Sequence, residues 1–293
     1  MLVTGASSGV GAATALAFAR RGCDVALLAR SRRGLEVVAG RVRGCGVQAL
    51  VLQADVSDAA AATAAVEQVV AEFGGLDVVV TNAAAMAFGA FEDVPAADFD
   101  RTVEVTFLGA VNVVRSALPA LERSGGVLVA VGSINARTPL PSFAAYAASK
   151  AAVRSFLRSL SIELRARRSP VRVAIVNPGA IDTPVWRSVT SATGRLPRRP
   201  PEGYRAGVIA DAVVATAARP RHEVTVGGEA TFWLWLWRTP VVGRLVLGLV
   251  HRWYHSGRRP APGDPLWEPT GDGSTSGLPV GRPSVIARLR WRA

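Results

Sequence analysis

Seven short apolar runs, at residues 2–3, 24–29, 47–52, 76–81, 127–131, 171–176 and 223–226, punctuate the first 227 residues of this 293-residue chain. They lack the polar–apolar alternation of a half-exposed strand, so both faces of each must be covered. Between them lie amphipathic stretches with helical periodicity, at 10–20, 35–43, 59–73, 96–121, 143–167 and 201–217. Strands that alternate with helices connect through right-handed crossovers into one parallel sheet with helices on both sides. The expected fold is α/β, a doubly wound seven-stranded parallel sheet.

Beyond 227 the character changes. An apolar, tryptophan-rich run at 231–250 leads into a tail dominated by Pro, Gly, Asp, Ser and Arg, expected to be poorly ordered or draped over the surface. The organisation read from the sequence is therefore one α/β domain over 1–227 and an extension over 228–293. Within the domain, about 180–204 is irregular, as functional loops are.

The net charge of +12 is uneven: 18 basic against 15 acidic residues up to 184, and 16 against 7 beyond. A basic tail suits nucleic acid or an anionic membrane. The arginines are scattered, however, and no helix-turn-helix, zinc-finger or RNA-binding signature accompanies them, so nucleic acid is not an expected partner. The 231–250 run has the length of a bilayer span. Arg238, Pro240 and Arg244 lie inside it, and a central arginine costs roughly 2.5–3.5 kcal/mol, which argues against a simple transmembrane helix. Two readings stay open: a hydrophobic lid over a substrate cleft, or an interfacial segment with Trp233, Trp235 and Trp237 at headgroup depth. Cys23 and Cys45 make neither a disulfide framework nor a metal pattern. The expected location is the reducing cytoplasm, and the interfacial reading of 231–250 would add peripheral membrane contact. The opening Met-Leu-Val-Thr-Gly leaves no room for a signal or transit peptide, and its short first strand suggests a start a few residues late.

The first apolar run leads directly into Thr4-Gly5-Ala6-Ser7-Ser8-Gly9-Val10-Gly11 and then a helical pattern. A glycine-rich turn between strand and helix is the phosphate cradle of a dinucleotide-binding, Rossmann-type fold. Gly5 permits the tight turn, Gly9 lets backbone approach a pyrophosphate, and Gly11 lets helix pack against strand. The unpaired N–H groups of the helix N-terminus face the phosphates.

A second feature is the lysine count. Lys150 is the chain's only lysine among 34 basic residues, and it follows Tyr146 by four. Where arginine has replaced lysine everywhere else, the survivor is a candidate for a role that arginine cannot fill. A compact ammonium can sit beside a phenol and lower its pKa. Residues four apart share a helix face. Ser133 closes the fifth apolar run, thirteen residues before Tyr146.

The TGxxxGxG turn, followed much later by Ser133 and Tyr146-x-x-x-Lys150, resembles the short-chain dehydrogenase/reductase family over residues 1–227. The resemblance implies that Ser133 hydrogen-bonds the substrate oxygen and Tyr146 exchanges a proton with it. Lys150 would lower the Tyr146 pKa and hold the nicotinamide ribose. It also implies cofactor contacts from Thr4, Gly5, Ser7, Ser8, Gly9, Val10 and Gly11, from the adenine pair Asp55 and Val56, and from Asn82 and Ala83. Pro178, Gly179, Ile181 and Thr183 would meet the nicotinamide carboxamide. The second strand ends in Arg30 and Ser31 with no carboxylate, which points to NADP(H) rather than NAD(H): a guanidinium can fork onto a 2′-phosphate.

Two positions depart from the family pattern. Ala84 replaces the glycine of Asn-Ala-Gly, and Thr106 stands where the family has a catalytic asparagine that holds a relay water. A threonine hydroxyl can also bond water, so Thr106 is taken as the fourth catalytic candidate. The expected activity is hydride transfer between NADP(H) and a carbonyl or secondary alcohol, with an apolar substrate suggested by the apolar extension. The expected assembly is a homodimer or homotetramer. The alternative is a cofactor-binding protein with little turnover that acts as a sensor or assembly partner.

Overall fold

Strand β1 (Leu2–Thr4) is fully buried and pairs in parallel with β2 (Val25–Ala29) on one side and β4 (Val78–Thr81) on the other. The computed structural model describes residues 1–187, 189–198, 203–228, 252–260 and 263–276. With β3 (Ala49–Gln53), β5 (Val127–Val131), β6 (Arg172–Pro178) and β7 (Glu223–Val226), the strands form one seven-stranded parallel sheet in the order β7-β6-β5-β4-β1-β2-β3. The expected fold class is the observed one. The order reverses between β1 and β4, and in open α/β sheets a crevice for ligands opens at that reversal, beyond the strand carboxyl ends.

Alternate residues along each strand feed two separate cores. Val3, Leu27, Val129 and Val131 pack under α1 (Gly9–Ala19), α2 (Arg32–Arg43) and α7 (Ala206–Ala218). Leu2, Ala26, Leu28, Leu128 and Ala130 pack under α3 (Ala59–Phe73), α5 (Gly109–Ser124) and α6 (Ala144–Ala166). Both faces are covered, which is why the runs read as continuously apolar. Burying a single leucine such as Leu128 contributes about 1.5–3 kcal/mol.

Local chemistry sets the element ends. The Ser31 hydroxyl accepts from Gly34 N at 3.2 Å and starts α2 three residues before the apolar pattern does. The Asp58 carboxylate accepts from Ala60 N and Ala61 N at the start of α3, and Gly74 ends that helix in the left-handed conformation.

The stretch expected as one helix over 96–121 is in fact α4 (Ala96–Val103), a π turn (Glu104–Leu108) and α5. By length and composition Ala96–Ser124 could cross a membrane, but Val113, Ala117 and Leu121 bury against the sheet, as in a core helix.

Past the carboxyl edge the chain makes two short parallel pairs, Ile181–Asp182 with Tyr204–Arg205 and Ala87–Phe88 with Thr190–Ser191. They brace the irregular 180–204 loop. The described parts of the extension, 252–260 and 263–276, return to this same edge. The 231–250 run lies outside the described residues.

Candidate active site

The glycine-rich turn takes its shape from two left-handed glycines, Gly5 at φ 64° and Gly9 at φ 56°. The Asn82 side chain donates to Thr4 O and to Gly5 O at 3.0 and 3.4 Å, and the backbone N–H groups of Asn82 and Ala83 donate to Thr4 Oγ1 at 2.9 and 3.0 Å. Thr4 is therefore buried behind the turn rather than lining the cleft. Gly11 also sits beneath it: a Cβ there would lie 2.2 Å from the Gly5 carbonyl oxygen. Both were expected to touch cofactor; here both lie behind the residues that line the cleft.

Gly5, Ser7, Ser8, Gly9 and Val10 line one side of a cleft of about 940 Å³. Arg30, Ser31, Asp55, Val56, Asn82 and Ala83 line it toward β2 and β3, and Pro178, Gly179, Ile181 and Thr183 line the opposite end. Ala84 keeps ordinary backbone angles, so the missing glycine imposes no strain. Among these groups Asp55 is held by Arg101 and by the Ser57 backbone N–H and hydroxyl, at 3.0 and 2.8 Å for the serine contacts. Burial alone would raise its pKa, but these bonds hold the carboxyl below the usual range.

Arg30 stands where expected, yet its guanidinium already donates to the carbonyls of Pro265, Leu266, Trp267 and Glu268 at 2.8–3.2 Å.

At the cleft floor, Ser133 ends β5 and caps the short turn Ile134–Ala136 by accepting from Asn135 N at 3.1 Å. Tyr146 lies in the first turn of α6 and Lys150 one turn later, with its Nζ 5.8 Å from the Tyr146 ring centroid. Helical spacing thus brings Ser133, Tyr146 and Lys150 into the same cleft. Burial pushes the Tyr146 phenol up to about 12, while a hydrogen bond with Ser133 pulls it the other way. Burial pushes the Lys150 ammonium down to about 8.

The expected lowering of the phenol pKa by Lys150 is not what this geometry gives. The ammonium donates to Val131 O at 2.8 Å, and burial is the largest influence on the phenol.

Thr106 lies in the π turn, off the main cleft. Its hydroxyl accepts from Ala85 N at 3.0 Å and donates to Ala85 O at 3.2 Å, so its only proton is engaged by backbone. A cavity of about 10 Å³ separates it from Lys150 and Thr81. Thr81 Oγ1 has no hydrogen-bond partner among the described residues. The polar lining and the volume suit one water.

Several cleft residues were not singled out from the sequence. Asn135 lines the cleft, and its buried Oδ1 lacks a partner among the described residues. Its place two residues after Ser133 was the available signal. Leu140, Phe143, Trp186, Trp253 and Tyr254 form an apolar wall of the same cleft. Pro265, Leu266, Pro269, Thr270 and Gly271 also line the cleft, so this part of the tail, expected to be poorly ordered or draped over the surface, is seated there, with Leu266 only 2% exposed. Among the described residues no cluster of His, Cys, Asp and Glu could hold a metal ion.

Residues 1–194 match the short chain dehydrogenase family. The chain belongs to that family. A versicolorin reductase of Emericella nidulans is 37% identical over 190 residues, spanning 64% of this chain and 71% of that protein. An uncharacterized oxidoreductase of Mycobacterium bovis is 36% identical over 236 residues, 78% and 67% of the two chains. Among solved structures, an alcohol dehydrogenase from Thermococcus sibiricus complexed with 5-hydroxy-NADP aligns with TM-score 0.68 and 31% identity, covering 77% of this chain and 94% of that one. A 3-ketoacyl-ACP reductase from Sinorhizobium meliloti gives TM-score 0.68 and 32% identity over 79% and 98%. This short-chain dehydrogenase is thus an oxidoreductase of a family that uses a nicotinamide cofactor, and the cleft's glycine cradle fits such a group.

Proposed function

We propose that this short-chain dehydrogenase is an NADP(H)-dependent oxidoreductase that interconverts an apolar ketone or aldehyde and its alcohol, with Tyr146 as general acid/base. The observation that carries the reading is the meeting of Ser133, Tyr146 and Lys150 at the floor of one cleft with an aromatic wall. When bound, the nicotinamide supplies or accepts the hydride. Gly5, Ser8, Gly9 and Val10 would hold its pyrophosphate and Arg30 its 2′-phosphate, with Pro178, Gly179, Ile181 and Thr183 at the carboxamide.

The chain's own contribution is orientation and proton transfer. Ser133 accepts the Asn135 N–H and hydrogen-bonds Tyr146, which holds its hydroxyl beside the phenol, where it would turn to a substrate oxygen. A phenol near 12 is fully protonated at neutral pH, so Tyr146 is poised as an acid. Lys150 remains charged below about 8 and stabilises the negative charge that develops on the phenol oxygen. Proton resupply runs through the small cavity shared by Lys150, Thr81 and Thr106. The wall of Phe143, Trp186, Trp253 and Tyr254 selects flat or bulky apolar carbonyls over small polar ones.

The test is NADPH and NADH oxidation against a panel of aromatic and aliphatic ketones. The expected result is turnover of aromatic ketones with NADPH, reduced by roughly 10²–10⁴ in Tyr146→Phe with NADPH affinity retained. Turnover at the wild-type rate in Tyr146→Phe would refute the assignment. Cofactor binding without turnover of any carbonyl would favour the sensor reading.

A further inference from the structure

The tail segment 264–274 lies on the nucleotide end of the cleft and offers carbonyl oxygens to the groups a phosphate would use. Four carbonyls, those of Pro265, Leu266, Trp267 and Glu268, surround the Arg30 guanidinium at 2.8–3.2 Å. Gly271 O accepts from the Ser31 hydroxyl at 2.5 Å. Ser274 O accepts from Gly9 N, at the N-terminus of α1, at 2.7 Å. Gly273 N donates to Ser7 O at 2.8 Å, and Arg41 donates to Gly273 O at 2.8 Å. Peptide carbonyls therefore stand in for phosphate oxygens along both the glycine-rich turn and the end of β2.

The seating is close-fitting. A Cβ on Gly271 would lie 2.2 Å from Ser7 Oγ, and one on Gly273 would lie 2.4 Å from Val37 Cγ1. Outside the cleft, Asp264 accepts from Thr190 Oγ1 at 2.6 Å, and Trp267 stacks on Arg101 and donates to Asp98 at 3.1 Å. A guanidinium with four of its five N–H donors given to carbonyls cannot also fork onto a 2′-phosphate, nor can one amide serve both Ser274 and a pyrophosphate.

We propose that segment 264–274 is an internal competitor for the dinucleotide, a strap that an adenosine 2′-phosphate must displace from Arg30 before NADP(H) is held. This rests on the reading of Arg30 as the 2′-phosphate contact. The strap lowers apparent affinity by the fraction of molecules in which it is seated. It discriminates as well, because only a 2′-phosphorylated nucleotide competes at Arg30 as well as at Gly9.

The test uses the full-length protein and reads binding rather than turnover. Calorimetric titration of NADPH, NADH and 2′,5′-ADP is combined with hydrogen exchange over 264–274. NADPH and 2′,5′-ADP are expected to increase exchange in the segment, NADH less so. Gly271→Val, which cannot seat against Ser7, is expected to bind NADPH roughly tenfold tighter, and Trp267→Ala to shift affinity the same way. Protection of the segment by NADPH, or weaker NADPH binding in Gly271→Val, would make it a wall of the loaded site and overturn the strap. Arg30→Ala separates the two layers. Unchanged NADPH-over-NADH preference in that variant removes the Arg30 reading and the strap's selectivity with it. Lost preference, with affinity and exchange indifferent to Gly271→Val, removes the strap alone.

Discussion

Lys150 is buried at the cleft floor, and burial lowers its pKa from an ordinary 10.5 to about 8. At pH 7 the folded and unfolded states are both protonated there, so the folded state carries the full cost of the buried charge. As pH rises from about 8 towards 10.5 the folded lysine has lost its proton while the unfolded one keeps it, so stability rises across that window. Lys150→Met should therefore be inactive but more stable at pH 7 by about 2 kcal/mol, after subtracting about 1 kcal/mol for the lost bond to Val131. The advantage should fade near pH 10. Melting curves at the two pH values check this, and equal stability at pH 7 would contradict it. In the wild type, ketone reduction should decline as pH rises through about 8, when the ammonium is lost.

Tyr146 and Lys150 were readable in advance because residues four apart share a helix face, and Ser133, Thr106 and Arg30 because they stand at positions of the family pattern. Their working states were not. The phenol's upward shift, the engagement of the Thr106 hydroxyl by Ala85 and the carbonyl cage on Arg30 all depend on neighbours far away in the chain.

At the scale of elements, α1 meets the glycine turn at Gly11, where added volume has no room. Gly11→Ala would place a Cβ 2.2 Å from Gly5 O and push the helix N-terminus off the turn. The expected loss is roughly 1–3 kcal/mol together with weakened NADPH binding. Gly40 is the control: it lies within the exposed face of α2 with nothing within 4 Å of a Cβ. Gly40→Ala should stabilise by roughly 0.5–1 kcal/mol through lower unfolded-state entropy. Denaturant midpoints of the two variants should move in opposite directions. The π turn at Glu104–Leu108 shows the limit of periodicity. A single inserted residue barely disturbs an apolar pattern, yet it rotates everything after it and aims Thr106 at Ala85.

For the whole molecule, the 252–260 segment of the extension completes the aromatic wall of the cleft. Trp253 and Tyr254 pack with Phe88 and Phe143, and Arg198 N donates to Tyr254 O at 3.0 Å, which ties the 252–260 segment to the substrate loop. Tyr254→Ala should raise KM for an aromatic ketone roughly tenfold, the worth of one lost aromatic contact area, with NADPH affinity unchanged. An unaltered KM would mean that this wall does not touch substrate.

The chain's local chemistry determined the sheet and the glycine cradle, because each depends on periodicity or spacing within one or two consecutive elements, while Ser133 was joined to Tyr146 and Lys150 through the family pattern. The tail looked like loose, polar chain for the same reason: composition records how much apolar surface a segment can bury by itself. Its seat exists only after folding, once β2, α1 and the 190s loop have placed Arg30, Gly9 and Thr190 around it. Hydrogen bonds that join residues more than two hundred positions apart leave no periodic trace, so only the tertiary structure decided that the tail lies against Arg30, Ser31 and Gly9.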